Sequence, residues 1–208
     1  MGRQETRSDG CQQTPIGPQL PEELLDAAAA VIQDHGFAGL TLERLARAAG
    51  SSRMTLHRRG VTVREVVAGL SGRAAAELQV VLFPVLASTA PARERMEKAL
   101  AALFEVTDRH LPLLAGLFDG DDGVFHDAAD DTGALPTAAV FVAPFVRLLA
   151  DGAADGTLAV QDDPVEAATV LFNTAGWGYV QLRHSQRWPP ERARDGVMAL
   201  VVGGLLPR

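Results

Sequence analysis

At 208 residues, with 47% apolar and 22% charged residues, the chain has the composition of a globular protein with a sizeable core, and not that of a disordered or fibrous one. Cys11 is the only cysteine, which excludes an internal disulfide and a cysteine-based zinc site. The net charge of −7 is unevenly distributed, because residues 1–73 have a net charge of +1 and residues 74–208 have a net charge of −8.

The N-terminal residues 1–19 are polar and are predicted to form a disordered tail. They lack the apolar segment of a signal peptide, and the apolar runs of the chain are too short or too interrupted to span a bilayer, so a cytoplasmic setting is expected. Alternating runs of Val, Ile and Thr are nearly absent, so strands are not expected. We therefore predict an all-α fold of about nine helices.

Three short helices are predicted after the tail. An apolar face at helical spacing predicts the first over residues 21–35, and Gly36 follows it as a left-handed cap. Thr41 is the predicted N-cap of the second helix, which ends at Gly50. The third helix covers residues 52–59. Two short helices joined by a glycine turn are typical of a helix-turn-helix motif.

A long fourth helix is predicted to connect this N-terminal region with the rest of the chain. Thr62 and Glu65 have the spacing of a capping box, which marks its start. Apolar residues then continue in helical register as far as Val85. We name residues 20–66 the head and residues 67–208 the body.

In the first part of the body, the sequence predicts two helices and a loop. The fifth helix starts after Pro91 and runs to about His110, and a short sixth helix covers residues 111–118. Residues 119–133 contain six Asp and are predicted to be a solvated acidic loop. A calcium site is not expected there, because Val124 stands where such loops need glycine and no Glu closes the loop.

Three more helices complete the predicted fold. The seventh spans residues 136–150, with a kink at Pro144. Asp163 and Pro164 are strong signals for the start of the eighth helix. The ninth helix follows Pro190.

The last two helices are predicted to form a dimer interface. Residues 167–182 and 196–206 carry no charge, and a small domain cannot bury two helices that are apolar all round. One face of each is therefore expected to pack against another molecule. Small residues allow close approach at Ala175, Gly176, Gly178, Gly203 and Gly204. We predict a homodimer held by an intermolecular four-helix bundle.

The helix-turn-helix pattern coincides with a local reversal of charge, which is typical of DNA binding. Five arginines and one glutamate lie between Thr41 and Gly60. Arg53 can grip a guanine with a bidentate pair, and Arg58 can contact a phosphate. The predicted DNA-binding residues are Thr41, Arg44, Arg47, Ser52, Arg53, Met54, Thr55, His57, Arg58, Arg59, Thr62 and Arg64.

The segments LLDAAAAVIQDHGFAGLTLERLARAAG, SSRMTLHRR and TVREVV resemble the N-terminal DNA-binding domain of the TetR family of bacterial regulators. The resemblance covers residues 24–70 and implies a ligand-responsive regulator that represses transcription by binding an inverted-repeat operator as a dimer. It further implies that the head is the DNA-binding domain and that the body binds an effector and dimerises.

The resemblance also implies a pocket in the body for a small effector. The candidate residues for this pocket are mostly apolar, so an apolar or aromatic effector is expected. No cofactor is expected. Asn173 is singled out because a polar amide among apolar neighbours needs a partner. The candidate ligand-binding residues are Met96, Leu100, Phe104, His110, Phe118, Phe141, Phe145, Phe172, Asn173 and Trp177.

Two positions of the head depart from the family pattern. An aromatic usually stands where this chain has Gly60, and an aliphatic residue where it has Ser51. Met54, Val61 and Val63 are expected to fill the space that these side chains leave. The departures support an alternative, a helical protein-interaction module with a degenerate DNA-binding head. A non-specific nucleoid binder is a further alternative, against which the acidic body argues.

An enzyme is not predicted. The five histidines show no metal-ligand spacing, and a site shared by His110 and His126 is not expected. The sequence also lacks a glycine-rich phosphate loop and the G-x-S-x-G motif of serine hydrolases.

Overall fold

The computed structural model describes residues 20–119, 141–159 and 161–206. Within these ranges the chain forms nine α-helices, one short 3-10 turn at Phe37–Gly39 and no strand, which confirms the all-α prediction. The helices are α1 (Glu22–His35), α2 (Leu42–Ala48), α3 (Arg53–Arg58), α4 (Val63–Ala87), α5 (Ala92–Arg109), α6 (Leu111–Asp119), α7 (Ala143–Asp155), α8 (Pro164–His184) and α9 (Pro190–Gly204).

Side-chain caps fix the starts of the three helices that follow α1. The hydroxyls of Thr41, Ser52 and Thr62 each accept a hydrogen bond from the amide three residues later, at 3.3, 3.0 and 3.2 Å. At the start of α4 the Glu65 carboxylate accepts a hydrogen bond from the amide of Thr62 at 2.8 Å. The predicted capping box is therefore confirmed.

The prediction for the seventh helix is partly wrong. The α-helix begins at Ala143, directly after the π-helical residues 141–142, so Pro144 lies in its first turn and not in its interior. The helix runs past residue 150 to Asp155, and Gly156 ends it with φ of 74°. Residues 136–140 of the prediction lie outside the described part of the chain. The same holds for the predicted tail and for residues 120–133 of the predicted acidic loop.

Two separate clusters of buried apolar side chains form the cores of the head and the body. The head core contains Leu25, Leu45 and Leu56, and it extends along α4 as far as Leu70. Two leucines of α6, Leu113 and Leu117, also belong to it, so α6 packs under the head although it follows α5 in the chain.

The body core starts on α4 at Leu78 and is built by α5, α7, α8 and α9. Its largest fully buried side chains include Phe104, Phe145 and Tyr179. The rings of Phe104 and Tyr179 stack, with centroids 4.4 Å apart. Long helices with large apolar side chains therefore supply the packing of the body.

Hydrogen bonds at the two ends of the body define the direction of its helices. At the end far from the head, the amide of Ala92 donates to Asp155 and the amide of Ala159 donates to the carbonyl of Leu205. At the other end, the Tyr179 hydroxyl donates to Asp108 at 2.7 Å. Accordingly α8 runs towards the head and α9 runs away from it.

The helix α4 is the one described helix long and apolar enough to cross a membrane by length and composition. Many of its apolar residues pack into the two cores, and 44% of its most apolar 18-residue segment is buried within the protein. Val80 and Phe83 are exceptions, because they are 72% and 73% exposed. Pro84 lies inside this helix, where it removes one backbone donor.

Candidate nucleic-acid interface

A glycine turn sets the angle between α2 and α3. Gly50 has φ of 59°, and its amide donates to the carbonyl of Arg47 at 3.2 Å. The next amide, of Ser51, donates to the carbonyl of Ala46 at 2.8 Å. This pair of bonds is a Schellman motif, which ends a helix and requires a left-handed residue that glycine adopts without strain. The predicted helix-breaking role of Gly50 is confirmed.

The same motif ends α3 and explains Gly60. Gly60 has φ of 74°, and its amide donates to the carbonyl of His57 at 3.0 Å. The amide of Val61 donates to the carbonyl of Leu56 at 3.0 Å, and both of these side chains are buried in the head core. Gly60 thus closes α3 through its backbone, so its departure from the family pattern does not by itself indicate a degenerate head.

The outward surface of α3 is polar and basic. Leu56 is its one fully buried side chain, whereas Arg53, His57 and Arg58 are exposed. Met54 was expected to help fill the space left by Gly60 and Ser51, and this expectation is wrong, because its side chain is 72% exposed. Val61 and the half-buried Val63 do pack on the head core. The side chain of Met54 is instead available to a partner.

The predicted DNA-binding arginines fall into two groups. The Arg44 guanidinium donates to the carbonyl of Gly39 at 3.0 Å, and that of Arg47 pairs with Glu43 at 3.1 Å. In contrast, no carboxylate of the described residues lies within 4.0 Å of the guanidinium groups on and after α3. These groups belong to Arg53, Arg58, Arg59 and Arg64, and all four side chains are exposed.

The hydroxyl groups that were predicted to contact DNA are less free to do so than the arginines, because they already form hydrogen bonds within the head. The hydroxyls of Ser52 and Thr55 lie 2.9 Å from each other, and the hydroxyl of Thr62 donates to the Glu65 carboxylate at 3.0 Å. Thr41, Ser52 and Thr62 act as caps at the helix starts, and Thr55 bonds to the cap Ser52. The sequence predicted the caps at Thr41 and Thr62 but not the cap at Ser52, and it did not show that capping occupies these hydroxyls.

The candidate ligand-binding residues of the body divide into a buried and a peripheral group. Met96, Leu100, Phe104 and Phe145 are at most 1% exposed and pack in the body core. The rings of the peripheral aromatic residues lie in pairs. Phe118 lies 5.7 Å from Trp177, and Phe141 lies 5.3 Å from Phe172.

The two polar candidates of the body have partners within the protein. Asn173 was expected among apolar neighbours, but it is exposed, and its amide donates to the carbonyl of Thr169 at 2.8 Å. His110 lies at the corner between α5 and α6, with Nε2 at 2.7 Å from the Glu77 carboxylate on α4. The hydrogen bond from His110 is the largest of the causes that lower the pKa of Glu77.

A polar network at the head end of the body was not predicted from the sequence. Asp108 on α5 accepts hydrogen bonds from the Tyr179 hydroxyl and from Arg183 Nε, at 2.7 and 2.6 Å. Burial, followed by the bond to Asp108, raises the pKa of Tyr179 well above its ordinary value. The network ties α5 to the end of α8. Its residues lie far apart in sequence, so no local pattern could reveal it.

An exposed apolar face lies on α8 and α9. The side chains of Val165 and Val170 on α8 are 58% and 59% exposed, and that of Leu200 on α9 is 73% exposed. Gly203 and Gly204, which follow Leu200 on α9, are also exposed. Large apolar side chains with this exposure are typical of an interaction surface.

Comparisons with known proteins agree with this geometry. The family model described as bacterial regulatory proteins of the tetR family matches residues 24–59, which include most of α1 and all of α2 and α3. A search of curated proteins finds no match.

Solved structures resemble the whole described fold. A transcriptional regulator of the TetR/AcrR family from Thermobifida fusca has a TM-score of 0.66 at 17% identity, covering 88% of this chain and 96% of that one. The ketosteroid transcriptional regulator KstR2 of Mycobacterium tuberculosis has a TM-score of 0.63 at 20% identity, covering 90% and 95%. The structure of a SmeT–triclosan complex has a TM-score of 0.63 at 19% identity, covering 89% and 91%.

The fold is that of a TetR-type transcriptional regulator, with a helix-turn-helix head on a helical body. The head thus matches the model of the tetR family of bacterial regulatory proteins, and the whole described fold is similar to that of solved members of this family.

Proposed function

We propose that the protein is a ligand-responsive, DNA-binding transcriptional regulator of the cytoplasm, and that it represses its target genes. The observation that carries the proposal is the surface of α3. It presents Arg53, Arg58 and Arg59 without a carboxylate partner among the described residues, on a helix whose two ends are fixed by Ser52 and Gly60. An exposed, rigidly held and unpaired basic helix matches the needs of major-groove binding.

Within this proposal the contacts divide by type. Arg53 and Met54 lie in the first turn of α3, the part of a recognition helix that meets base edges. Arg53 binds a guanine, and Met54 packs on a thymine methyl group. Arg58, Arg59 and Arg64 bind phosphates on either side of the groove. Thr41, Arg44 and Arg47 contribute mainly to the position of α2, because their side chains already have partners within the head.

The proposed regulator acts as a homodimer through α8 and α9. Support comes from the exposed apolar face that contains Val170 and Leu200. Two copies that pack these faces together form an intermolecular four-helix bundle and bury the face in both copies at once. The dimer then presents two α3 helices to an inverted repeat whose half-site centres lie about 34–36 Å apart.

The proposed effector is a small apolar or aromatic molecule. The solved structures with a similar fold include a complex with triclosan and a regulator named for ketosteroids, and both names describe those proteins alone. In this chain the peripheral aromatic pairs Phe118–Trp177 and Phe141–Phe172 are the best candidates for contact, because they lie outside the densely packed centre of the body core. His110 is a candidate for a polar contact.

The proposal is tested by titrating the purified protein against DNA from upstream of its own gene, with scrambled DNA of equal length as the control. Binding is measured at two salt concentrations. We expect tight binding to the native fragment that weakens steeply with salt. If that fragment is not bound, a panel of fragments from the whole genome is titrated in the same way. Equal, weak binding to every native fragment and to scrambled DNA would contradict the proposal and favour a head that does not read sequence.

Single arginine variants distinguish direct phosphate contacts from the general electrostatic attraction between the protein and DNA. Arg58→Ala is expected to lower the slope of log affinity against log salt by about 1, because one phosphate is no longer neutralised, with the same sequence preference. Arg147→Ala is the matched control, because Arg147 is an exposed arginine on α7 of the body. An unchanged slope for Arg58→Ala would remove this residue from the phosphate contacts.

The dimer is tested by placing a charge in the exposed apolar face. Leu200→Glu is expected to give a folded monomer, because the side chain is 73% exposed in the single chain and the charge opposes burial only in the dimer. Sedimentation velocity measures the mass, and the operator titration should show a large loss of affinity. Glu105, an exposed residue of α5, provides the control variant Glu105→Gln. A stable dimer of Leu200→Glu would contradict the proposed interface.

A further inference from the structure

The outer face of α4 within the body is apolar and exposed. Val80 and Phe83 are 72% and 73% exposed, and Ala76 and Ala87, one turn before and after them, are also exposed. We name these four residues the α4 stripe. They follow one another at intervals of four, three and four residues, so they share the side of the helix opposite Leu78, which is buried in the body core. The described part of the chain leaves this stripe uncovered.

The α4 stripe is separate from the face that is proposed to hold the dimer together. That face lies on α8 and α9 and contains Val170 and Leu200. Within the body α4 packs chiefly on α5, whereas α8 and α9 pack on each other. A dimer built through α8 and α9 therefore does not use the α4 stripe, and a second explanation is needed for its exposed apolar side chains.

The charge around the stripe limits what can cover it. Residues 78–92 contain no charged residue, so the stripe offers no ion pair to a charged ligand. Residues 74–208 have a net charge of −8, which opposes approach to nucleic acid or to an anionic membrane surface. The chemistry of the stripe therefore fits an uncharged, apolar surface of a protein.

The order of the side chains makes the stripe complementary to itself. The pair Val80 and Phe83 and the pair Ala76 and Ala87 have the same midpoint, between residues 81 and 82. If a second copy packs antiparallel about a two-fold axis at this midpoint, Val80 faces Phe83 of the other copy and Ala76 faces its Ala87. Such reciprocal pairs are what a two-fold interface requires, and the spacing is that of a coiled-coil seam. A second copy of this chain therefore fits the stripe.

A backbone carbonyl beside the stripe favours the same partner. Pro84 has no N–H, so the carbonyl of Val80, four residues earlier, lacks its helical donor on the exposed face. Covering this carbonyl with a purely apolar surface would cost free energy. Gln79 and Pro84 have the same midpoint as the stripe, so the exposed side chain of Gln79 on the second copy lies opposite Pro84. Its amide can donate to the free carbonyl.

We propose that the α4 stripe is a second self-association surface, through which two dimers join by antiparallel pairing of their α4 helices. This inference rests on the proposed function as a DNA-binding dimer. Two stripes of about three helical turns bury less than the roughly 1,200 Å² of a stable interface, so the association is weak in free solution. Two dimers on neighbouring operators of one DNA molecule have an effective concentration of about 1 mM. The stripe then makes their binding cooperative.

The association is tested by sedimentation equilibrium of the full chain from about 10 μM to about 1 mM. The average mass of the wild type is expected to rise above that of a dimer, and added salt should favour this rise because it screens the repulsion between acidic bodies. Phe83→Glu and Val80→Lys should each remain dimers, because the pairing would bury an uncompensated charge. Ala150→Glu, on an exposed position of α7, is the matched control and should behave as the wild type. A wild type that stays dimeric up to about 1 mM would overturn the proposal.

A double variant tests the antiparallel arrangement. When Val80→Lys and Phe83→Glu are combined, the introduced lysine of one copy faces the introduced glutamate of the other. We expect the double variant to regain the association that each single variant loses, and salt should now weaken it. A parallel pair, a different protein or another segment of this chain on the stripe would not produce this rescue. Failure of the double variant to associate would therefore overturn the antiparallel pairing.

Binding to DNA with two operators distinguishes failure of the stripe from failure of the proposed function. The separation of the operators is varied over one helical turn. With a dissociation constant of about 100 μM for the stripes, the wild type should bind the second operator about tenfold more tightly at the favourable separations. Phe83→Glu should bind a single operator as the wild type does and the two operators independently. Independent binding of the wild type at every separation would overturn the cooperative role, whereas binding to no operator, with the association in solution intact, would overturn the proposed function alone.

Discussion

The head and the body of this protein are stabilised in different ways. The head builds α2 and α3 from only seven and six residues, too few to be stable alone, and each has a side-chain cap at its start and a glycine after its end. The body uses longer helices, and α5 and α9 start without a side-chain cap. Local caps thus fix the ends of the short helices α2 and α3, whereas α5 and α9 depend more on the burial of large side chains.

The two regions also use their arginines differently. Several cations of the body pair with its own carboxylates, as in Arg95 with Asp151 at 2.9 Å and Arg183 with Asp108 at 2.6 Å, whereas Arg192 lies over the ring of Trp188. The head leaves the guanidinium groups of α3 without such partners among the described residues. An unpaired cation retains its full attraction for an external anion, while a paired one contributes to internal structure. The exposed guanidinium groups of α3 therefore remain available to an external anion.

The largest expected effect tests whether the two cores are independent. Leu45 in the head core and Leu100 in the body core are both 0% exposed. Truncation of either to alanine should lower the free energy of unfolding by about 2–5 kcal/mol. In calorimetry, Leu45→Ala is expected to lower only a transition assigned to the head, and Leu100→Ala only that of the body. A single transition shifted equally by both variants would show that head and body unfold as one unit.

A smaller effect tests how far local caps specify the head. Thr62→Ala removes the hydroxyl that caps α4 and should destabilise the protein by about 1 kcal/mol, as measured by chemical denaturation. Thr89, an exposed threonine in the turn between α4 and α5, supplies the control Thr89→Ala. Equal and negligible effects of the two substitutions would mean that packing alone holds the start of α4.

The smallest expected effect concerns the bonds that connect Glu77 on α4 with His110 and Arg109 at the end of α5. Bonds to His110 and Arg109 lower the pKa of Glu77 below its ordinary value of 4.5. A carboxyl with a lowered pKa in the folded state stabilises the protein above pH 4.5, and this contribution is lost as the pH falls through the folded-state pKa. Because Glu77 is partly exposed, we expect less than about 1 kcal/mol.

The role of Glu77 is tested by measuring the free energy of unfolding of Glu77→Gln from pH 7 to pH 3. The variant should be less stable than the wild type at pH 7, and the difference should shrink as the pH falls through the lowered folded-state pKa of Glu77, because the wild-type carboxyl then becomes protonated. Asp162, an exposed carboxylate just before α8, gives the control Asp162→Asn. A difference between Glu77→Gln and the wild type that is constant with pH would contradict an ionic role for Glu77.

The parts of the fold that depend on neighbouring residues were predictable from the sequence. Thr41 and the pair Thr62–Glu65 are recognised by spacing alone, and the structure confirms both caps. The family resemblance rests on the same local patterns, and the family model matches the segment that contains most of them. The DNA-binding and ligand-binding assignments of single residues stay predictions.

Other features depend on contacts that no local pattern encodes. The packing of α6 into the head core brings Gly116 against the ring of Phe37, and the network of Asp108 joins residues about 70 positions apart. The position of Pro144 was misjudged because periodicity does not show where a helix begins when apolar residues precede it. The role of Gly60 was missed because only the backbone shows its positive φ, although the sequence L-H-R-R-G-V contains the pattern of a Schellman motif.

The central claim, that the head reads a specific sequence as part of a dimer, is tested most directly by selection from a random pool of duplex DNA. The wild type and Arg53→Ala are each used for several rounds of binding, and the enriched sequences are compared. We predict that the wild type enriches an inverted repeat with half-site centres about 34–36 Å apart, and that Arg53→Ala loses the preference at one position in each half. Enrichment of no common sequence by the wild type, or of a motif without two-fold symmetry, would contradict the claim.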